Sequence, residues 1–207
     1  AIVLVAVAGL FQASALKHLR HANRGEYVVA MAAFVGVLSS GLLRGVLIGA
    51  VISLVQLLRR ASRPHVALLG RIPGTRHFSD RERHPDNELI PGVLIFRPEA
   101  SLVYFNVDHV CDAIEDRVRA EAMPPRLVVL DLSAAAYVDL QSAHSLAGLA
   151  DKLNGAGIAV RAVEARAKVR EMVRGEGLAA RLGGIDRSAT VAEVIDNLQR
   201  EGGATAP

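Results

Sequence analysis

The side chains with the strongest chemistry fall in one short stretch of the 207-residue chain. Asp131 closes the apolar run RLVVLDL, and Asp139, Gln141 and Ser142 open the next apolar-periodic segment. An aspartate just before such a segment is a helix N-cap, its carboxylate accepting from free first-turn amides. Added negative charge is favoured at the same place, because the helix dipole presents its positive end there. Asp131, Asp139, Gln141 and Ser142 are therefore a candidate regulatory or partner-binding surface. The alternative gives them plain structural roles, with Asp139 as cap and Asp131 bracing the loop between strand and helix.

Other reactive types lack supporting patterns. The seven histidines include His18 and His21, three apart but flanked by Lys17 and Arg20, and His65, His77 and His84 at irregular intervals. No carboxylate joins the first two at ligand spacing and the other three lack regular spacing, so no metal is expected. Cys111 is the single cysteine, which excludes an internal disulfide, and it lies on a helical apolar stripe as a core residue would. Ser133, Ser142 and Ser145 have no nucleophile-elbow context, and the glycines match no phosphate loop. No catalytic residue and no cofactor is expected, and the chain is not read as an enzyme.

Two unlike halves must position these residues. Hydrophobic residues make up 51% and charged residues 22% of the whole, but residues 1–58 are almost purely apolar and the remainder is mixed. Residues 1–16 carry no charge and begin without Met, as the cut end of a longer protein would. A basic loop with Lys17, Arg20 and Arg24 follows. Residues 27–58 form a second apolar block whose only charge is Arg44. As a single helix it would be about 48 Å long at 1.5 Å per residue, longer than a bilayer's hydrocarbon core. Ser39-Ser40-Gly41 offers a break, which predicts a helical hairpin. Arg59, Arg60 and Arg63 follow its second arm. With Lys17, Arg20 and Arg24 they put both ends on the cytoplasmic side and the turn outside. Gly41, Gly45 and Gly49, four apart, offer a close-packing face. Arg44 has two readings, an intramembrane functional charge or a residue snorkelling at the outer surface.

Residues 61–88 have Pro64, Pro73-Gly74 and Pro85, many arginines and no apolar periodicity, which predicts a basic linker. From Leu89 strands and helices alternate. Strands are expected at 92–97, 102–105, 126–132 and 158–163. A helix capped by Asn106 should bury Val107, Val110, Cys111, Ile114 and Val118. A second, from about Gln141, should bury Ala143, Leu146, Leu149, Ala150 and Leu153 and stop at Gly155-Ala156-Gly157. Further helices are expected at 165–174 and 190–200. The class is a transmembrane helical hairpin region followed by an α/β domain, a sheet covered by helices. The boundaries are 1–60 for the membrane helices, 61–88 for the linker, 89–202 for the α/β domain and 203–207 for a tail. The net charge of +3 is explained by the membrane-flanking arginines, and scattered arginines with 4% aromatic residues argue against nucleic acid.

The run VVLDLSAAAYVDLQSAHSLAGLADKLNGAGIAV resembles a STAS domain. Upstream, RPHVALLGRIPGTRHFSD and IPGVLIFRPEASLVYFN resemble the linker and first STAS strands of bacterial SulP (sulfate permease) transporters, and the apolar hairpin is similar to that family's last membrane helices. The resemblance implies the C-terminal part of a secondary transporter of inorganic anions, sulfate or bicarbonate among them. It implies a multi-pass protein of the bacterial inner membrane, dimeric, with lipid and the remaining N-terminal helices around the hairpin. The STAS domain would be a cytoplasmic regulatory and dimer-contacting module, and the anion site would lie in helices outside this chain. In STAS proteins that regulate sigma factors, a Ser or Thr directly after the aspartate is phosphorylated. Here Leu140 and Gln141 follow Asp139, and Ser142 stands where a small residue is usual, so the acceptor pattern is broken. A membrane-tethered signalling protein of the anti-sigma-factor-antagonist type is the alternative.

Overall fold

A computed structural model describes residues 24–203. The first apolar run, Lys17, Arg20, His18 and His21 lie outside the described residues. The chain divides into two compact units, Ala1–Arg60 and Ala61–Pro207.

The first unit contains the helix α1 (Arg24–Ser40) and most of α2 (Leu42–Ser62). The expected break is at Gly41, whose φ of 87° is open to glycine at little cost and ends α1. Of the glycine face, Gly45 and Gly49 are buried. A Cβ on Gly45 would lie 2.3 Å from Val37 N, and one on Gly49 would lie 2.8 Å from Ala33 Cβ. Gly41 departs from the expected packing face, since a Cβ there would meet nothing within 4 Å. It is a turn glycine. The small residue facing Gly45 is Gly36 instead, with its ideal Cβ 3.1 Å from Gly45 Cα. Among the described residues, α2 is long and apolar enough to cross a membrane, and Arg59 and Arg60 stand in its last turn. Arg63 follows the helix and is exposed.

The second unit is built on a five-stranded sheet of β1 (Val66–Arg71), β2 (Phe78–Asp80), β3 (Val93–Pro98), β4 (Leu127–Asp131) and β5 (Ala159–Val163). The order is β2-β1-β3-β4-β5. β1 runs antiparallel to both β2 and β3, while β3, β4 and β5 are parallel. The helices are α3 (Val107–Ala120), α4 (Leu140–Gly155), α5 (Ala167–Gly175) and α6 (Val191–Gly203).

The strand alternation explains the layering. Leu94, Phe96, Val128, Leu130, Val160 and Ala162 face one side and form a core with α3, α4 and α5. Ala67, Leu69, Val93, Ile95, Leu127 and Val129 face the other and meet Val191 and Ile195 of α6. Both faces of the central strands are thus covered, the condition for continuously apolar strands such as LVVL.

Three local expectations are corrected. Residues 61–88 are not a linker without structure: they supply β1 and β2, and Asn87, only 4% exposed, donates to Ser79 O at 3.0 Å. The polar and Pro-rich composition that hid these strands belongs to an edge hairpin and the loops around it. Residues 102–105 form no strand beyond the isolated Leu102↔Val138 bridge. Asn106 makes no capping bond to α3. Its side chain is buried and folds the preceding loop, accepting from Val103 N at 2.9 Å and donating to Ser101 O and Ala61 O, both at 3.1 Å. The five apolar positions expected on α3 and the five on α4 are all buried.

Candidate functional site

β4 ends on Asp131, a loop crosses from 132 to 138, and Asp139 starts α4. Asp139 has extended backbone and its Oδ1 accepts from Ser142 N at 2.8 Å, the N-cap geometry expected from its position. Its Oδ2 accepts from Tyr104 N at 2.8 Å. Partial burial pushes this carboxyl up, but hydrogen bonding from Ser142 and from the Tyr104 amide outweighs it and holds the group below the usual aspartate range.

The two loops are laced together further along. Leu102 N donates to Tyr137 O at 2.9 Å and Asp139 N to Leu102 O at 3.1 Å. Four large side chains are left in water around this junction: Tyr104 is 69% exposed, Phe105 41%, Tyr137 55% and Leu140 51%. Tyr104 and Phe105 meet edge to face, ring centroids 5.4 Å apart. This surface was not expected from the sequence, where 102–105 looked like strand. The adjacent aromatics were the available signal, since a strand would have sent one of them to each face.

Of the four candidate residues, Asp139 and Gln141 are at this surface, Gln141 exposed and Asp139 half-buried. Ser142 is on the inner side of α4 with no exposure at all.

Asp131 goes elsewhere. It is 1% exposed, and its Oδ2 accepts from Arg97 Nε at 2.8 Å and Nη2 at 2.7 Å, while Oδ1 accepts from Ser133 N at 2.9 Å. The Arg97–Asp131 pair lies in a cleft of about 680 Å³ beyond the carboxyl ends of the parallel strands, with Arg76, His77, Glu164, Thr190 and Glu193 also lining it. Thr190 and Glu193 form a capping box for α6: Glu193 N donates to Thr190 Oγ1 at 3.1 Å and Thr190 N to Glu193 Oε2 at 3.3 Å. Glu164 holds a left-handed backbone, φ 57°. Burial, then the charge of Asp131, raises its carboxyl above the ordinary range.

The remaining reactive side chains are placed as follows. Cys111 is buried, and burial with help from Asp108, Glu115 and Asp112 pushes its thiol up to about 12, so it is protonated at neutral pH. Among the described residues, no group of three or more His, Cys, Asp or Glu side chains is arranged to hold a metal.

A sheet capped by α3 and α4 on one face, with an aspartate-capped helix after the central strand, is the frame of a recognised family. Residues 84–198 match the STAS domain model, and the chain belongs to that family.

Relatives of the chain include proteins named as sulfate transporters. Sulfate transporter 2.1 of Arabidopsis thaliana is 30% identical over 206 residues, covering 94% of this chain and 30% of that protein. A probable sulfate transporter of Mycobacterium tuberculosis is 28% identical over 183 residues, covering 88% of this chain and 33% of the other. In fold, the chain is similar to the murine solute carrier 26 family member A9 anion transporter in its inward-facing state, with a TM-score of 0.74 at 17% identity. That match covers 88% of this chain and 30% of the transporter. The chain spans about a third or less of the length of the transporters it matches.

Proposed function

We propose that this chain is the C-terminal part of a secondary transporter of inorganic anions of the sulfate or bicarbonate type, in a bacterial inner membrane. The hairpin is read as its last membrane helices, with lipid and the preceding helices as neighbours. Residues 61–203 form a cytoplasmic domain that regulates the transporter and contacts a second copy, without catalytic chemistry of its own.

The observation that carries this reading is the joint layout. An apolar helical hairpin ends on Arg59 and Arg60 and passes directly into a STAS domain, and the similarity to sulfate transporters runs through both parts, over 94% of the chain. A STAS domain alone would be compatible with many proteins; one continuous with such a hairpin supports transport. Arginines at the end of the hairpin support a cytoplasmic side for the domain.

The anion pathway is assigned to helices outside this chain. An anion at mid-membrane needs a polar site between helices and alternating access to both sides. Between Tyr27 and Leu58 the hairpin carries one charge, Arg44, the third residue of α2 and next to the turn. Two helices cannot line a wet cavity and also hide their backbone from lipid. In vesicles, the parent protein should take up labelled sulfate or bicarbonate above protein-free controls, and the 207-residue chain alone should match those controls. Saturable uptake by the chain would place the site in these helices and refute the assignment. No uptake by the parent for either anion would refute the transport reading.

A further inference from the structure

We propose that the aromatic loop 101–106 rests in the headgroup layer of the lipid bilayer, with Tyr104 and Phe105 as its anchors. The inference rests on the membrane reading above and adds a lipid contact made by the cytoplasmic domain itself.

Exposure and rigidity make the first half of the case. Tyr104 and Phe105, with Tyr137 and Leu140 across the junction, stay in water at 41–69% exposure. Such area is worth roughly 25 cal/mol per Å² when withdrawn from water. The loop that carries them is not slack. Tyr104 N is bonded to Asp139, Leu102 is bonded to Tyr137 and Asp139, and Asn106 is 3% exposed with both ends of its side chain used. A loop this firmly held has had its ordering entropy met by folding, so contact with a partner costs little more.

Chain continuity supplies the occupant. Asn106 Nδ2 donates to Ala61 O at 3.1 Å, and Ala61 is three residues after Leu58, the last of the apolar run. Three residues of helix rise about 4.5 Å. A headgroup layer is about 5–8 Å deep on each side of the hydrocarbon core. The loop is therefore tied to a residue that emerges within that layer, one position after Arg59 and Arg60. Tyrosine, with an apolar ring and a polar hydroxyl, is enriched at this depth, and the arginines favour phosphate beside it. An edge-to-face aromatic pair on a loop tied to Ala61, the residue after Arg60 in the chain, fits a lipid interface.

The absence of tryptophan from the chain gives a clean test. Full-length chains carrying Tyr104→Trp, Phe105→Trp or Met123→Trp are reconstituted in vesicles of phosphatidylcholine and phosphatidylglycerol, with acyl chains brominated near the carbonyl in one set. Met123 is 82% exposed and lies beyond the far end of α3, about 20 Å of helix from Asn106. The reporters at 104 and 105 should lose roughly half or more of their emission to bromine, as an indole at interfacial depth does, and the reporter at 123 should lose almost none. The loss should not change as the protein-to-lipid ratio is lowered. Vesicle flotation is read on the same samples. Chains that float but show no quenching at 104 and 105, or equal quenching at all three positions, overturn the inference and leave the membrane reading standing. Shielding that appears only at high protein density assigns the patch to a second copy and also overturns it. Chains that do not float overturn the membrane reading itself.

Discussion

Replacing Arg97 with alanine strips a buried carboxylate of its counter-charge. Asp131 is 1% exposed, and both Arg97 contacts converge on its Oδ2, leaving only the Ser133 amide on Oδ1. Removing one partner of a buried pair costs about 3–5 kcal/mol, because the other charge stays in a poorly solvated place. The Arg97 side chain keeps 27% of its surface in the cleft, so water can reach the vacated site and the lower figure, about 3 kcal/mol, applies. For a unit of this size that is a fall of about 6–12 °C in melting temperature. Urea unfolding of the domain alone, from Ala61 onward, followed by circular dichroism, measures it. Replacing both residues, Arg97→Met with Asp131→Leu, should recover most of the loss, since an apolar pair of similar volume avoids the desolvation cost. A single variant that loses less than about 1 kcal/mol, within reach of a surface pair, would refute the reasoning. So would a double variant as unstable as the single one.

Other expectations follow from the same geometry. A domain started at Ala61 should unfold in one cooperative transition, whereas one started at Asn87 lacks β1 and bares the edge of β3, and should aggregate or melt without a transition in scanning calorimetry. Asp139→Ala should cost about 1–2 kcal/mol at neutral pH for the lost cap and the stranded Tyr104 amide. Because the folded carboxyl sits below its unfolded value, this stabilisation is complete above about pH 4 and is lost as pH falls through the folded value. Wild type and variant should therefore converge in urea titrations run in strong acid. Gly183 has φ 73°, and a Cβ there would stand 2.1 Å from Val160 O in β5. Gly183→Ala should thus lose more than the roughly 1 kcal/mol of backbone strain alone, about 3 kcal/mol in the same unfolding assay.

Much of this protein was legible in its sequence because period and burial coincide there. The run LVVL is apolar on successive residues, so it is a strand covered on both faces, and helices do cover both. Val107, Val110, Cys111, Ile114 and Val118 repeat at helical spacing, so α3 follows with its buried face. Asp139 capped α4 as its place before an apolar-periodic run requires, and Gly41 broke the hairpin where the chain needs a positive φ. Each of these is decided by neighbours in the chain, within one or two turns.

What only the tertiary structure decided depends on partners distant in sequence. β1 is a strand because β3 offers its edge across more than twenty residues, not because its own surroundings, rich in Pro and Arg, favour one. Asn106 has the residue type of a cap, but its amide is spent on Val103, Ser101 and Ala61, the last of them 45 residues away. Asp131 and Asp139, eight positions apart, read as one surface in the sequence, and the fold separates them. The strand delivers Asp131 to Arg97 in the cleft of α6, and the loop turns Asp139 toward Tyr104. Spacing along a chain fixes which faces residues share inside one element. Once a loop intervenes, their destination is set by whichever distant donors can satisfy a buried carboxylate, and local pattern carries no record of those.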